Sequence, residues 1–384
     1  MTAGVGPRSR GQMHRSCPEC LRRSRLLALL SPYIERSCDD RPGRRVPELL
    51  ALSNADLVAA VAPRKTDEFL SEVTSIGEGE LIEELDTAGC WAICHHHPGW
   101  PSGLLHQKDG PRCLIGRGDP EPLLGLEPAA SATIVGSRRA TSYGAGIARR
   151  LGSESARAGL AVVSGMALGI DGAVHRGSLG RGSGDGRSVA VLGGSADRPY
   201  PMANLTLYRQ LVERGAVVSE MPPGTAPRRW CFPARNRTMA SLSGITVVVE
   251  AAPRSGSLIT AEMALAAGRE VGAVPGPVTS GVSAGCHELL KSGAALIRDG
   301  FDLVETLAPG LGLSLKEAPV APGTIEARVL EAIGRGAASA DLVASGIGAE
   351  VGEVMVALTA LEFEGLIEVD VSGSLVATRS SSGG

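Results

Sequence analysis

Aromatic side chains are scarce in this 384-residue chain, with Phe, Tyr and Trp together making up 3%. A core built mainly on packed rings is excluded, so each ring that does occur says more about its surroundings. Long apolar runs are missing as well. Near the start of the chain the longest is Leu26–Leu30, too short for a signal h-region and far short of a bilayer span. Disulfide patterning is absent: eight cysteines stand at 17, 20, 38, 90, 94, 113, 231 and 286 without regular spacing, in a chain long enough to build its core without bridges. The expectation is a reducing, cytoplasmic setting with no membrane contact. Strong net charge is also missing, since the formal total is only −3, and that alone argues against a generic binder of polyanions.

What is present is segmented. Residues 1–45 carry ten Lys/Arg against four Asp/Glu, a net of +6, and residues 46–130 carry five against fourteen, a net of −9. Residues 131–305 return to +6 and residues 306–384 fall to −6. A polyanion should therefore meet the middle of the chain or its basic beginning.

The hydrophobic pattern divides the chain along similar lines. Residues 1–46 read as a basic, irregular segment with a short helix possible at Cys20–Leu30. Residues 47–127 read as a small helical domain, with Ser53 and Asn54 as candidate caps between two helices and strand-like fragments near Cys90–Cys94 and Cys113–Ile115. From 131 to 307 short apolar runs alternate with amphipathic helices. Strands are expected at Ala132–Val135, Ala161–Val163, Val189–Leu192, Val217–Ser219, Thr246–Val249, Val271–Val274 and Ala295–Ile297. Continuous apolar strands separated by helices predict an α/β fold, an extended Rossmann-like parallel sheet covered on both faces. A linker follows at 308–322. Residues 323–379 then read as three helices and a hairpin around Ser372-Gly373, the pattern of a winged helix.

In such sheets ligands sit beyond the carboxyl ends of the strands. Here those ends run into Gly, Ser and Arg. Gly136-Ser137-Arg138-Arg139 leaves the first strand and precedes a helix, Ser164-Gly165 leaves the second, and Arg254-Ser255-Gly256-Ser257 leads to Thr260 at another helix start. Backbone N–H groups at such turns suit an anion; a tight turn with solvated arginines, or plain N-capping by Ser255 or Ser257, explains the same residues. The pattern lacks both the Gly-Lys-Ser/Thr of a triphosphatase loop and the Gly-x-Gly-x-x-Gly of a dinucleotide site. A third stretch, Pro227–Arg237, holds Arg228, Arg229, Arg235 and Arg237 with Trp230 and Phe232 and no acid. Rings interleaved with guanidinium groups suit single strands, bases stacking on the former and phosphates pairing with the latter. The other reading makes both rings core residues.

Taken in order, Ile134–Arg138, Val163-Ser164-Gly165-Met166-Ala167-Leu168-Gly169-Ile170-Asp171, Ala190–Gly193, Tyr200-Pro201, Ser219-Glu220, Phe232-Pro233-Ala234-Arg235-Asn236-Arg237, Ser255–Ala261 and Gly268–Val271 through Pro275-Gly276 resemble the DprA/Smf family of DNA-processing proteins over residues 130–305. The resemblance implies a protein that binds single-stranded DNA, protects incoming strands and hands them to the RecA recombinase during natural transformation. It implies a homodimer formed through the Rossmann domain, a helical N-terminal domain, a C-terminal winged helix and no enzymatic activity. DNA contacts carry over to Ser137, Arg138, Arg229 and Phe232, with Phe232 stacking on a base. Arg235, Asn236 and Arg237 belong to the same motif and are candidates either for DNA or for bracing the loops. Two departures stand out. Leu168 replaces the family's usual Arg, and Gly285-Cys286-His287-Glu288 replaces its usual Gly-Thr-Asn.

Other signals carry less. Cys17-x-x-Cys20 invites a zinc reading, but a site needs four ligands and only Cys38 and His14 are near in sequence. His95-His96-His97 would alternate sides if extended. Asp171 and His175 are spaced to pair on one helix face. Glu220, Glu250 and Glu262 have no recognisable nucleophile or metal cage beside them. No metal, cofactor or catalytic residue is therefore expected. The competing function is a nucleotide-processing, phosphoribohydrolase-like enzyme, in which Ser257, Thr260 and Glu262 would serve.

Overall fold

Valine- and isoleucine-rich runs such as Ser131–Val135 and Ile245–Val248 are buried at every position, which only a sheet covered on both faces satisfies. The computed structural model describes residues 14–38, 42–105, 107–180, 187–307, 323–363, 366–369 and 373–377. Its main sheet contains β1 (His14–Arg15), β2 (Trp91–Cys94), β3 (Cys113–Gly118), β4 (Ser131–Val135), β5 (Ala161–Ser164), β6 (Ser188–Val191), β7 (Ala216–Ser219), β8 (Ile245–Val248), β9 (Glu270–Ala273) and β10 (Ala295–Leu296). The spatial order is β1-β2-β3-β7-β6-β5-β4-β8-β9-β10. Strands β4 to β10 are parallel, and β3 joins β7 antiparallel, with Ile115 opposite Ser219.

The chain starts this doubly wound sheet at β4, builds outward to β7, then crosses back and builds the other way from β8. The neighbours β4 and β8, paired through Ile134 and Val247, thus form a topological switch point. Loops leaving these two strands diverge, and the crevice between them is where this fold places ligands.

All seven strands expected between 131 and 297 are present, each within a residue of its expected position. The helices between them, Ser142–Arg157, Ile170–Ser178, Leu205–Arg214, Gly256–Ala266 and Ala284–Lys291, also follow the expected pattern. Three expectations are corrected. The segment 1–46, expected to be irregular apart from a short helix at Cys20–Leu30, instead contains a 20-residue helix, Pro18–Ser37, that spans the expected one and whose Leu26, Leu30 and Ile34 are fully buried at four-residue spacing. The fragments at 90–94 and 113–115 are strands β2 and β3 of the main sheet, so the sheet reaches into the stretch read as helical. Strand β3 runs on past the expected Ile115 through Gly116 to Gly118. Position 116 is glycine because the Trp91 ring lies where a Cβ would stand. The Arg-rich stretch Pro227–Arg237, read without a helix, turns helical at Cys231–Leu242. This helix is buried nearly all round and has no polar stripe to announce it, while Pro233 sits in the first turn, where a missing N–H costs nothing.

The N-terminal helices Pro18–Ser37, Pro42–Leu50, Asn54–Val61 and Thr66–Ser75 share one apolar cluster with Met221, Trp230, Cys231 and Ala234. Trp230 is central to it, its Nε1 donating to Ser31 Oγ at 2.8 Å, so for this ring the core reading holds. Downstream, Ile325–Gly334, Ala340–Ile347 and Val351–Phe363 pack with a ribbon of β11 (Ile367–Val369) and β12 (Leu375–Ala377) around a core of their own. That is the winged-helix pattern. The expected linker 308–322 and the turn residue Ser372 lie outside the described residues. No single described helix is long and apolar enough to cross a bilayer.

Candidate nucleic-acid interface

The loops leaving β4 and β8 enclose a cleft of about 470 Å³ over the switch point. It brings together Gly136, Ser137, Arg138 and Arg139 from the first loop, Ser255, Gly256, Ser257 and Thr260 from the second, and Phe232, Arg235 and Asn236 from the third stretch. Two strand-end loops more than a hundred residues apart thus meet over the switch point, and the Arg-rich stretch, about twenty residues before the second of them, joins them there. A smaller recess of about 90 Å³ adjoins it, sharing Arg138, Phe232 and Arg235 and adding Gly165, Leu168 and Tyr200. Leu168, where the family usually has Arg, is exposed in this recess and makes its wall apolar.

Glycines set the loop geometry. A Cβ on Gly136 would meet Ile170 Cγ1 at 2.7 Å, and Gly169, at φ +76°, approaches Ser137 O too closely for any side chain. The first loop is therefore pinned against the Ile170–Ser178 helix, with Ser137 N donating to Glu250 O at 2.7 Å and Ile170 N to Ser137 O at 3.1 Å. Arg138 and Arg139 project outward and are exposed.

One expectation about this loop is corrected. The N-terminus of the Ser142–Arg157 helix does attract an anion, but the anion is the protein's own Glu250. Thr141 N donates to Glu250 Oε2 at 3.0 Å, Thr141 Oγ1 donates to Glu250 Oε1, and Gly144 N donates to Thr141 Oγ1. A carboxylate at a helix start is favourable, and Gly144 lacks the Cβ that would collide with it. The second helix start is capped by Ser255, whose Oγ accepts from Ser257 N and lies 2.9 Å from Ser257 Oγ. Capping and cleft lining coexist here. Arg254, just before the cap, is exposed and holds a left-handed φ of +67°, a costly conformation for a non-glycine residue that presents it at the rim.

Phe232 is the aromatic that faces the cleft. Its ring lies under the Arg138 guanidinium, 5.1 Å from carbon to centroid, and 5.9 Å from the Tyr200 ring. Tyr200 is 45% exposed. It stood in the sequence beside Pro201 without a partner in view. Only the loop after β6 brings it to Phe232, completing a cation–ring–ring row.

The remaining arginines of the motif turn inward. Arg237 is buried, donating from Nη1 and Nη2 to the two carboxylate oxygens of Glu220 at 2.7 and 2.8 Å. Arg235 donates from Nη1 to Gly165 O at 2.5 Å and Val191 O at 2.9 Å, and lies 3.8 Å from Asp171. Burial lowers the Arg235 pKa, and burial raises that of Asp171 by more than the nearby guanidinium pulls it down. The DNA-contact expectation is corrected for Arg237, which is sealed off, and for Ser164, a buried hydroxyl donating to Ile134 O. Arg235 forms the cleft floor with its charge engaged. Arg229 is exposed but lies outside the cleft lining; its N–H donates to Glu35 on the first helix.

The candidates for catalysis disperse. Glu220 is held by Arg237 and Glu250 by Thr141, while Glu262 lies outside the cleft lining. Asp171 accepts from Ala167 N, and His175, four residues on, faces Ser188 Oγ at 2.8 Å instead. Burial drives the His175 imidazole down to about 3. Among the described residues, Asp171 is the one carboxylate lining the cleft, which does not favour a phosphoribohydrolase-like site.

Cysteine chemistry appears elsewhere. Cys17, Cys20, Cys94 and His96 gather with their ligand atoms within 4.8 Å of one another. This corrects the expectation that Cys17 and Cys20 have only Cys38 and His14 to draw on. Cys38 packs in the other N-terminal cluster, and the partners come from the far end of β2.

The model of the DNA recombination-mediator protein A family matches residues 91–308, and that of the DprA winged helix domain matches residues 314–370. Two Mycobacterium tuberculosis sequences are 44% identical over 251 residues, 62% of this chain and 62% of theirs, so the match spans less than two thirds of these relatives. The DNA processing protein DprA of Bacillus subtilis is 32% identical over 75% of this chain and 94% of its own length. The X-ray structure of DprA from Streptococcus pneumoniae superposes with a TM-score of 0.59 at 29% identity, covering 76% of this chain and 98% of that one.

Proposed function

The chain belongs to the DprA/Smf family of DNA recombination-mediator proteins, and from that premise we propose that it binds single-stranded DNA across the switch-point cleft. The observation that carries this reading is the row of Arg138, Phe232 and Tyr200 at the cleft mouth. A base stacks on Phe232 or Tyr200, as every base can because each has a π face. The adjoining phosphates meet Arg138, Arg139 and Arg254. Nothing in this arrangement reads base edges, so the binding is indifferent to sequence. A duplex hides its ring faces and cannot use the aromatic row, so single strands are preferred.

The wider role follows from the family premise. The protein coats strands in the cytoplasm and delivers them to a RecA recombinase during natural transformation, acting as a homodimer and without catalysis of its own. The acidic winged helix, part of a segment with a net charge of −6, faces protein partners in this scheme, since its charge opposes phosphate contact.

Gel shifts with single- and double-stranded DNA at several salt concentrations test the reading. Three phosphate-pairing arginines predict a log–log salt slope of roughly −2. Equal affinity for single and double strands, unaltered in Phe232→Ala, removes the aromatic row from the interface. Incubation with nucleoside monophosphates is expected to release no base.

A further inference from the structure

We propose that Cys17, Cys20, Cys94 and His96 bind a zinc ion that fastens the first helix to the antiparallel edge of the sheet. The ligand set assembles from two distant places. Cys17 is the N-cap of the Pro18–Ser37 helix and Cys20 lies in its first turn, so one helix start presents both sulfurs on the same side. Cys94 ends β2, and His96 follows in a turn closed by His97 N donating to Cys94 O at 2.9 Å.

The edges from the imidazole have the lengths that a tetrahedral site needs, and all four ligand atoms lie within 4.8 Å of one another. His96 Nδ1 lies 3.4 Å from Cys17 Sγ, 3.7 Å from Cys20 Sγ and 3.9 Å from Cys94 Sγ. Zinc bonds of ordinary length to sulfur and nitrogen give ligand–ligand edges of about 3.5–3.8 Å. Three sulfurs and one imidazole select zinc over oxygen-loving magnesium or calcium, and four protein ligands make the site closed and structural.

The surroundings fit as well. Cys17 N–H donates to Cys94 Sγ at 3.4 Å, a bond that steadies a sulfur carrying negative charge. His95 Nδ1 lies 3.4 Å from Cys20 Sγ and 3.2 Å from Arg112 O, which places it as a neighbour of the ligand set and not a member. Cys113 Sγ lies 3.3 Å from Ser16 Oγ and outside the four. None of the eight cysteines is in a disulfide. The ion would close the chain between Cys20 and Cys94, clamping the whole N-terminal helical layer onto β2.

The test uses the full chain, purified without a metal-affinity step and with its thiols reduced. Elemental analysis should find about one zinc per chain. Cobalt exchanged into the protein should give the intense visible bands of a tetrahedral site and a thiolate charge-transfer band in the near ultraviolet. Cys94→Ser and His96→Ala should abolish or strongly reduce both, while Cys113→Ser and His95→Ala should retain them. Chelation should lower the Tm of the wild-type chain but leave that of Cys94→Ser unmoved. Because Cys20→Ser and its neighbours are at risk of misfolding, the cobalt spectrum of the unaltered chain decides without them. A zinc-free chain that shows no tetrahedral cobalt spectrum overturns the proposal. So does metal uptake indifferent to Cys94→Ser, or a Cys17–Cys20 disulfide, two hydrogens lighter by mass, in protein kept free of oxygen.

Discussion

The floor and the rim of the cleft use the same residue types to opposite ends. On the floor and in the layer sealed beneath it, Arg235 and Arg237 are buried and meet Asp171, Glu220 or backbone carbonyls, and Glu250 is held at a helix start. On the rim, Arg138, Arg139 and Arg254 are exposed, and no ion pair joins them to a described carboxylate. Charge on the floor holds the loops in register. Charge on the rim is available to a ligand. The eleven-residue stretch from Pro227 to Arg237 contributes to the floor, to the mouth and, through Arg229, to the surface beside the first helix, so motif membership alone does not tell which job a residue has. Burial does.

The sharpest way to break this division is Arg237→Ala. It strands the Glu220 carboxylate in the interior, and an uncompensated buried charge of this kind costs about 3–5 kcal/mol of stability. Urea melts should show that loss. Wild-type-like stability would mean the floor is not a bracing layer.

His175, beneath the floor, gives the next effect, through pH. Its folded pKa of about 3 lies below the ordinary value of 6.5. Below pH 6.5 the unfolded chain takes up a proton that the folded chain refuses. The stabilisation from keeping this ring neutral is therefore complete above pH 6.5 and lost as pH falls toward 3, at up to about 1.4 kcal/mol per unit. The stability gap between wild type and His175→Asn should narrow in acid. Melting curves that stay parallel would show that the ring is not sealed from water.

The mouth and rim should behave in reverse. Phe232→Ala is expected to weaken single-strand binding by about 1–3 kcal/mol in filter-binding or fluorescence titrations, without the stability loss of a floor mutation. Arg138→Ala should give the smallest effect, a uniform weakening across sequences with the salt slope shallower by about 0.7. If Arg138→Ala instead unfolds the protein, the distinction between rim and floor collapses.

Much of the fold was legible because parallel strands buried on both faces declare themselves as unbroken apolar runs, and because Gly136, Ser164-Gly165 and Ser255-Gly256 mark where they end. The meeting of the loops after β4 and β8 followed from those ends; that the Phe232 stretch joins them did not. Other features depend on residues that meet only after folding. Glu250 reaches Thr141 across 109 positions, so nothing local said that the first helix start was filled. The helix Cys231–Leu242 has no polar face, and periodicity is silent about a helix buried all round. Cys17 and His96 are 79 residues apart; the pairing of β2 with β3 and the docking of the first helix unite them, which no inspection of neighbouring spacings reveals.

Trp230 has a consequence for how the protein divides into parts. It begins the helix that carries Phe232, yet its side chain belongs to the core of the N-terminal helices and is tied to Ser31. The helical layer looks detachable when the sequence is drawn as a row of modules. In three dimensions the seam runs through the base of the stacking aromatic. Shortening the protein at Cys38 would uncover an indole and loosen the footing of Phe232 together. In building terms, the Pro18–Ser37 helix is foundation and not annexe.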